Sequence, residues 1–140
     1  MERTLITKLV EWKEKSNRKP LILKGVRQCG KTYLLKEFGK RYYESCAYFN
    51  FEENDALKTV FEKDYDTSRI LFELGLYFGK TIEPGKTLVI LDEIQECGRA
   101  ITAMKYFCEN APEYHIVCAG SLLGIALQRQ LSFPVGKVDF

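Results

Sequence analysis

Gly25-Val26-Arg27-Gln28-Cys29-Gly30-Lys31-Thr32 concentrates residue types that can hold a phosphate chain. The spacing G-x-x-x-x-G-K-[ST] is that of the phosphate-binding loop, or Walker A motif. Its glycines permit the curvature that aims successive backbone N–H groups at one anion. A lysine placed as Lys31 is reaches the β- and γ-phosphates, and a hydroxyl placed as that of Thr32 is ligates Mg2+. A helix starting there adds its free N–H groups and its dipole. Four fixed positions recur by accident roughly once in 200 chains of this size, so the motif needs a strand before it and a helix after it. Pro20-Leu21-Ile22-Leu23 has the dense apolar character of a buried parallel strand, and Leu34, Leu35, Phe38 and Tyr42 recur at helical spacing. The run from Gly25 to Thr32 is therefore the expected ATP-binding set.

A second constellation completes the chemistry. Val89-Ile90-Leu91-Asp92-Glu93 is an apolar run closing on two carboxylates, the pattern by which a strand delivers an aspartate to Mg2+ (Walker B). Asp92 with Thr32 forms the expected metal pair. Glu93 stands where a carboxylate can polarise a water for in-line attack on the γ-phosphate. Ala119-Gly120-Ser121 ends a later strand, and ligands in such sheets lie beyond the strands' carboxyl ends. Ser121 reads either as a polar sensor of the γ-phosphate or as the cap of a following helix. Arg27 and Gln28 lie within the loop, where either contacts phosphate oxygens or a neighbouring subunit, or faces solvent. Cys29 lies near a helix N-terminus, which lowers a thiol pKa; thiol reagents are expected to block nucleotide binding, with Mg-ATP protecting, and equal labelling with and without Mg-ATP would contradict this. Arg99 and Arg129 are further candidates for an arginine that contacts the transition state.

Elements of alternating type must position these groups. An amphipathic helix is expected over residues 3–16, with Leu5, Ile6, Leu9, Val10 and Trp12 on one face. After the loop and its helix, Ala47–Phe51 reads as a second strand. A short helix capped by Asn54 or Asp55 runs to about Lys63, and a longer one capped by Asp66 or Thr67 carries Ile70, Leu71, Leu74 and Phe78 inward. Thr87–Leu91 is the third strand, followed by a helix over 98–109 with Ile101, Met104, Phe107 and Cys108 inward. His115–Ala119 is the fourth strand. A helix over Leu122–Gln130 and a strand beginning at Val138-Asp139-Phe140 close the pattern. Alternating strands and helices predict an α/β fold with a parallel sheet covered on both faces and right-handed crossovers.

Composition sets the outer limits. A chain of 140 residues that is 46% hydrophobic builds one domain with one core region. No apolar run has the length of a membrane span and no signal pattern opens the chain, so a soluble, cytoplasmic protein without membrane contact is expected. The 5 cysteines are odd in number and lack any C-x-x-C pair, which favours reduced thiols over a disulfide or zinc framework. The single His115 reads as an ordinary strand-end residue. Net charge is only +2, but residues 1–41 hold 12 Lys/Arg against 4 Glu. That basic portion is the basis for considering nucleic acid as a partner, although no groove-reading motif accompanies it.

Taken in order, the loop Gly25–Thr32, Leu91-Asp92-Glu93-Ile94-Gln95 and Ala119-Gly120-Ser121 resemble a large group of prokaryotic ATPases of the AAA superfamily that usually carry an uncharacterised C-terminal domain. The forms G-x-R-Q-x-G-K-T and D-E-I-Q carry the resemblance, which extends over residues 18–140; Phe133–Val138 resembles the hairpin before the group's fifth strand. The resemblance implies a three-layer α/β/α P-loop fold with strand order 5-1-4-3-2, the fifth strand being incomplete here. It implies phosphate contact by Lys31, metal contact by Thr32 and Asp92, water activation by Glu93 and a sensor role for Ser121. It further implies a single ATPase domain over 1–140 with a leading helix and linker over 1–19, forming the N-terminal part of a longer protein.

Two functions follow as expectations. One is Mg-dependent ATP hydrolysis coupled to a C-terminal region; the other is a nucleotide-gated interaction module, DNA-associated or self-associating, with little turnover. A small-molecule kinase fits less well, because Glu93 directly follows Asp92 and no acceptor-site or lid segment is recognisable. A GTPase would require an N-K-x-D run, and the sequence has none.

Overall fold

The computed structural model describes residues 2–25 and 31–121. Four strands form one parallel sheet: β1 (Leu21–Gly25), β2 (Ser45–Asn50), β3 (Thr87–Asp92) and β4 (His115–Ser121), in the order β1-β4-β3-β2. The helices are α1 (Glu2–Glu14), α2 (Lys31–Tyr42), α3 (Ala56–Glu62), α4 (Thr67–Phe78) and α5 (Gly98–Asn110). A 3-10 turn, Ile94–Glu96, follows β3. The four strands stand in the order 1-4-3-2, as expected; the expected fifth strand and the helix over Leu122–Gln130 lie outside the described residues.

The sheet order explains the layers. The chain crosses from β1 to the far edge at β2 and then returns through β3 and β4. Crossovers of one hand travelling in opposite directions put their helices on opposite faces. One apolar cluster accordingly joins Leu9 and Trp12 of α1 to Leu35 and Phe38 of α2 and to Leu88, Ile90 and Val117 of the sheet. The other joins α3, α4 and α5 to Ala47, Phe49, Val89, Leu91 and Ile116. Alternate residues of β3 therefore serve opposite cores, and all six of its residues are buried. Gly39 lets α2 approach the sheet: a Cβ there would lie 2.7 Å from Cys46 Sγ and 3.2 Å from Leu88 Cδ2.

Local signals set most boundaries. Asp66 caps α4, its Oδ1 accepting the N–H groups of Ser68 and Arg69, and Gly79 ends that helix with φ 88°. Arg69 ties α4 to the preceding turn through Asp64 at 2.9 Å and to Glu73 at 2.8 Å. Two expectations shift. Asn54 takes the Ala56 N–H while Asp55 occupies the cap position without a side-chain bond. Cys108 is only half-buried, because the buried stripe of α5 runs through Ile101, Met104 and Phe107 and leaves the last turn at the rim.

His115 stands at the end of a strand, as expected, being the first residue of β4; it is also buried, with Nδ1 2.6 Å from the Tyr43 hydroxyl and Trp12 edge-on at 5.8 Å. Burial, aided by the charges of Arg18 and Lys13, pushes its pKa down to about 4. Tyr43 is pushed up by burial, so the phenol donates and the neutral imidazole accepts. The unfolded chain protonates His115 near pH 6.5 and the folded chain only near 4, so this contribution is complete above pH 6.5 and lost as pH falls. Between pH 6.5 and 4 the protein should lose roughly 2 kcal/mol that a His115→Gln variant does not lose, after allowance for solvent screening at the sheet edge. Urea titrations across that range measure it; parallel pH profiles for the two proteins would refute it.

Candidate nucleotide site

All four strands point their carboxyl ends to one edge, where Gly25 pairs with Ser121 and Asn50 with Asp92. Thr32 lies in the first turn of α2, directly after the loop, and Asp92 is the last residue of β3. Their side chains meet: Thr32 Oγ1 donates to Asp92 Oδ2 at 2.8 Å across 60 positions of sequence. Asp92 is only 5% exposed, so these protein contacts replace most of its hydration. The Tyr48 hydroxyl donates to the same Oδ2 at 2.5 Å, and the Glu93 N–H donates to Oδ1 at 2.9 Å. Burial, followed by the hydrogen bond to Asp92, pushes the Tyr48 phenol pKa up and keeps it protonated.

Glu93 adopts the left-handed conformation, φ 54°, which a non-glycine residue holds at a cost of about 1–2 kcal/mol. The Glu93 carbonyl accepts the Glu96 N–H at 3.0 Å, closing a tight turn directly after the strand. The two adjacent carboxylates therefore have separate partners. Asp92 engages Thr32 and Tyr48, while Glu93 Oε1 accepts from Gln95 Nε2 at 2.7 Å. Different partners suit different tasks.

Tyr48 and Asn50 were not singled out in the sequence. Asn50 Nδ2 donates to the Tyr48 hydroxyl at 3.1 Å, which puts both residues in the network around Asp92. Their signal was the period-2 spacing that places both on one face at the carboxyl end of β2, beside the aspartate strand. Arg99 is committed elsewhere: its Nε donates to the Phe61 carbonyl at 2.7 Å, and its guanidinium lies 4.8 Å from the Tyr65 ring centroid. Residues 26–30, Arg129 and the side chains of Lys31 and Ser121 lie outside what is described. A cleft of about 580 Å3 between α4 and the segments preceding β3 and β4, lined by Phe72, Leu76, Lys80 and Tyr114, sits at the other edge of the sheet and is not this site.

Hard oxygen donors presented by a hydroxyl and a carboxylate suit Mg2+ far better than a soft metal. Thr32 and Asp92 bring one such hydroxyl and one such carboxylate together. A parallel sheet covered on both faces, with a carboxylate at the tip of β3, is an α/β fold of the P-loop type. The chain belongs to the AAA domain family, whose match spans residues 17–140. No curated protein matches it. Among solved structures, the Walker-type ATPase of Pyrococcus abyssi superposes with a TM-score of 0.60 at 18% identity, over 96% of this chain and 50% of that one. The chain thus spans half the length of that structure, and at this identity the likeness is one of fold. Membership of the AAA domain family supports ATP binding of the ATPase type. Among the described residues, no helix is long and apolar enough to cross a membrane.

Proposed function

We propose that residues 1–140 form a Mg-dependent ATP-hydrolysing domain, the N-terminal part of a longer protein to which it transmits the nucleotide state. The observation that carries this reading is the 2.8 Å contact between Thr32 and Asp92, which brings the two sequence motifs to one point. Backbone N–H groups from Gly25 to Thr32, including those of Val26, Arg27, Gln28, Cys29 and Gly30, cradle the phosphates. Lys31 neutralises the β- and γ-oxygens. Thr32 and Asp92 would hold Mg2+, which when bound offsets charge on the same oxygens. Glu93 accepts a proton from water as the water oxygen bonds to the γ-phosphorus. The bond to the β–γ bridging oxygen breaks, yielding ADP and inorganic phosphate. Ser121, at the tip of β4, contacts the γ-phosphate as a sensor.

A second reading is favoured by one contact. Gln95 Nε2 donates to Glu93 Oε1, so that oxygen is engaged with the protein rather than with an attacking water. In this reading the domain binds ATP as a switch with negligible turnover and presents its state to a partner, a second copy or DNA. Phosphate release from Mg-ATP separates the two. Steady release of free phosphate supports the hydrolase, whereas saturable ATP binding without release supports the switch. Absence of ATP binding at millimolar concentration would remove both.

A further inference from the structure

We propose that Tyr48 is a positioning residue for the cation site: oriented by Asn50, its phenol sets the carboxylate of Asp92 and thereby the hydroxyl of Thr32. The inference rests on the Mg-ATP reading above. Its direction follows from which groups can donate. Asn50 Oδ1 accepts the N–H groups of Glu52 at 2.9 Å and Glu53 at 3.1 Å, so the turn after β2 determines which way the amide faces. Asn50 Nδ2 is left to face the Tyr48 hydroxyl at 3.1 Å, and an amide N–H only donates. The phenol oxygen accepts there, so its one proton goes to Asp92 Oδ2.

Asp92 Oδ2 then holds two O–H donors, from Tyr48 and Thr32, while Oδ1 holds the Glu93 N–H. A carboxylate engaged at both oxygens cannot rotate without breaking one of these bonds. Thr32, its proton committed to Asp92, presents only lone pairs beyond. Lys36, one turn after Thr32 in α2, places its ammonium 4.0 Å from the Tyr48 ring centroid. The helix that carries Thr32 therefore also steadies the tyrosine that orders Asp92. A phenylalanine would fill the same space; the hydroxyl serves the polar chain that ends on the carboxylate.

Binding of a fluorescent ATP analogue, titrated with Mg2+ and repeated in EDTA, tests this on the full chain. Tyr48→Phe should raise the half-saturating Mg2+ concentration about 10-fold, and Asn50→Ala about 3-fold, because partners of metal ligands act on metal affinity. Binding in EDTA should stay within about twofold of wild type, since the phosphate loop is untouched. A purely structural tyrosine would weaken both alike, and that result overturns the proposal. So does an unchanged Mg2+ requirement in Asn50→Ala, which decides the matter even if Tyr48→Phe fails to fold. A wild type that binds the analogue without any Mg2+ response overturns the Mg-ATP reading and this inference with it, a failure visible without any variant.

Discussion

Glu93→Gln should lower phosphate release from Mg-ATP by about 100-fold to 10,000-fold while ATP binding stays within about twofold of wild type, the loss expected for a general base. The amide keeps the size of the side chain and retains an oxygen to accept from Gln95, whose Nε2 lies 2.7 Å from Glu93 Oε1. The Glu93 N–H still donates to Asp92, so the Asp92 carboxylate is not disturbed. The carboxylate's charge and its capacity to accept a proton are removed together. Binding and turnover should therefore separate, which a change in folding or nucleotide affinity would not produce. Phosphate release within tenfold of wild type would show that Glu93 does not activate the water. Equal loss of binding would show that its role is structural.

Asp92→Asn should abolish the Mg2+ enhancement of ATP binding and lower phosphate release by about 100-fold, more than any partner of the carboxylate achieves. Three donors converge on Asp92: the Thr32 and Tyr48 hydroxyls at one oxygen and the Glu93 N–H at the other. A carboxylate accepts all three. An amide has a single oxygen, so either orientation sets its NH2 against at least one donor in a buried place. An unsatisfied buried donor costs about 1–3 kcal/mol, and loss of a desolvated charge offsets part of this. Thermal stability should thus move by a few degrees only. Binding measured in EDTA should be nearly unchanged, whereas the Mg2+ titration becomes flat. A normal Mg2+ titration would exclude Asp92 from the metal site.

These effects arise at residues whose chemistry was readable in the sequence, but not at all those that surround them. Asp92 and Glu93 were marked by the apolar run before them, which stays apolar because β3 is covered on both faces. Tyr48 offered no comparable mark. Within Ala47–Phe51 it was one aromatic among several, and its role depends on a partner 44 positions away. The end of that strand was also misplaced by its own apolarity. Phe51 leaves β2 and packs on Phe61 at 5.7 Å in the core of α3, because Asn50 turns the chain by accepting from Glu52 and Glu53. An apolar residue shows that it is buried without showing in which element. Arg99 shows a related limit: its charge was visible in the sequence, but the Phe61 carbonyl that takes its Nε was not.

The sequence by itself determined the local chemistry: a glycine-bearing loop between an apolar strand and an amphipathic helix, and a carboxylate pair at the end of a second apolar run. It determined the alternation of elements as well, since burial periodicity is a property of neighbouring residues. Tertiary structure alone decided what those groups touch. Parallel register sets Asn50 opposite Asp92 and Tyr48 opposite Ile90, which brings Tyr48 to the Asp92 carboxylate, and the packing of α2 on the sheet brings Thr32 to the same oxygen. Hydrogen bonds act over about 3 Å, whereas their partners here stand up to 60 positions apart, so only the folded sheet could join them.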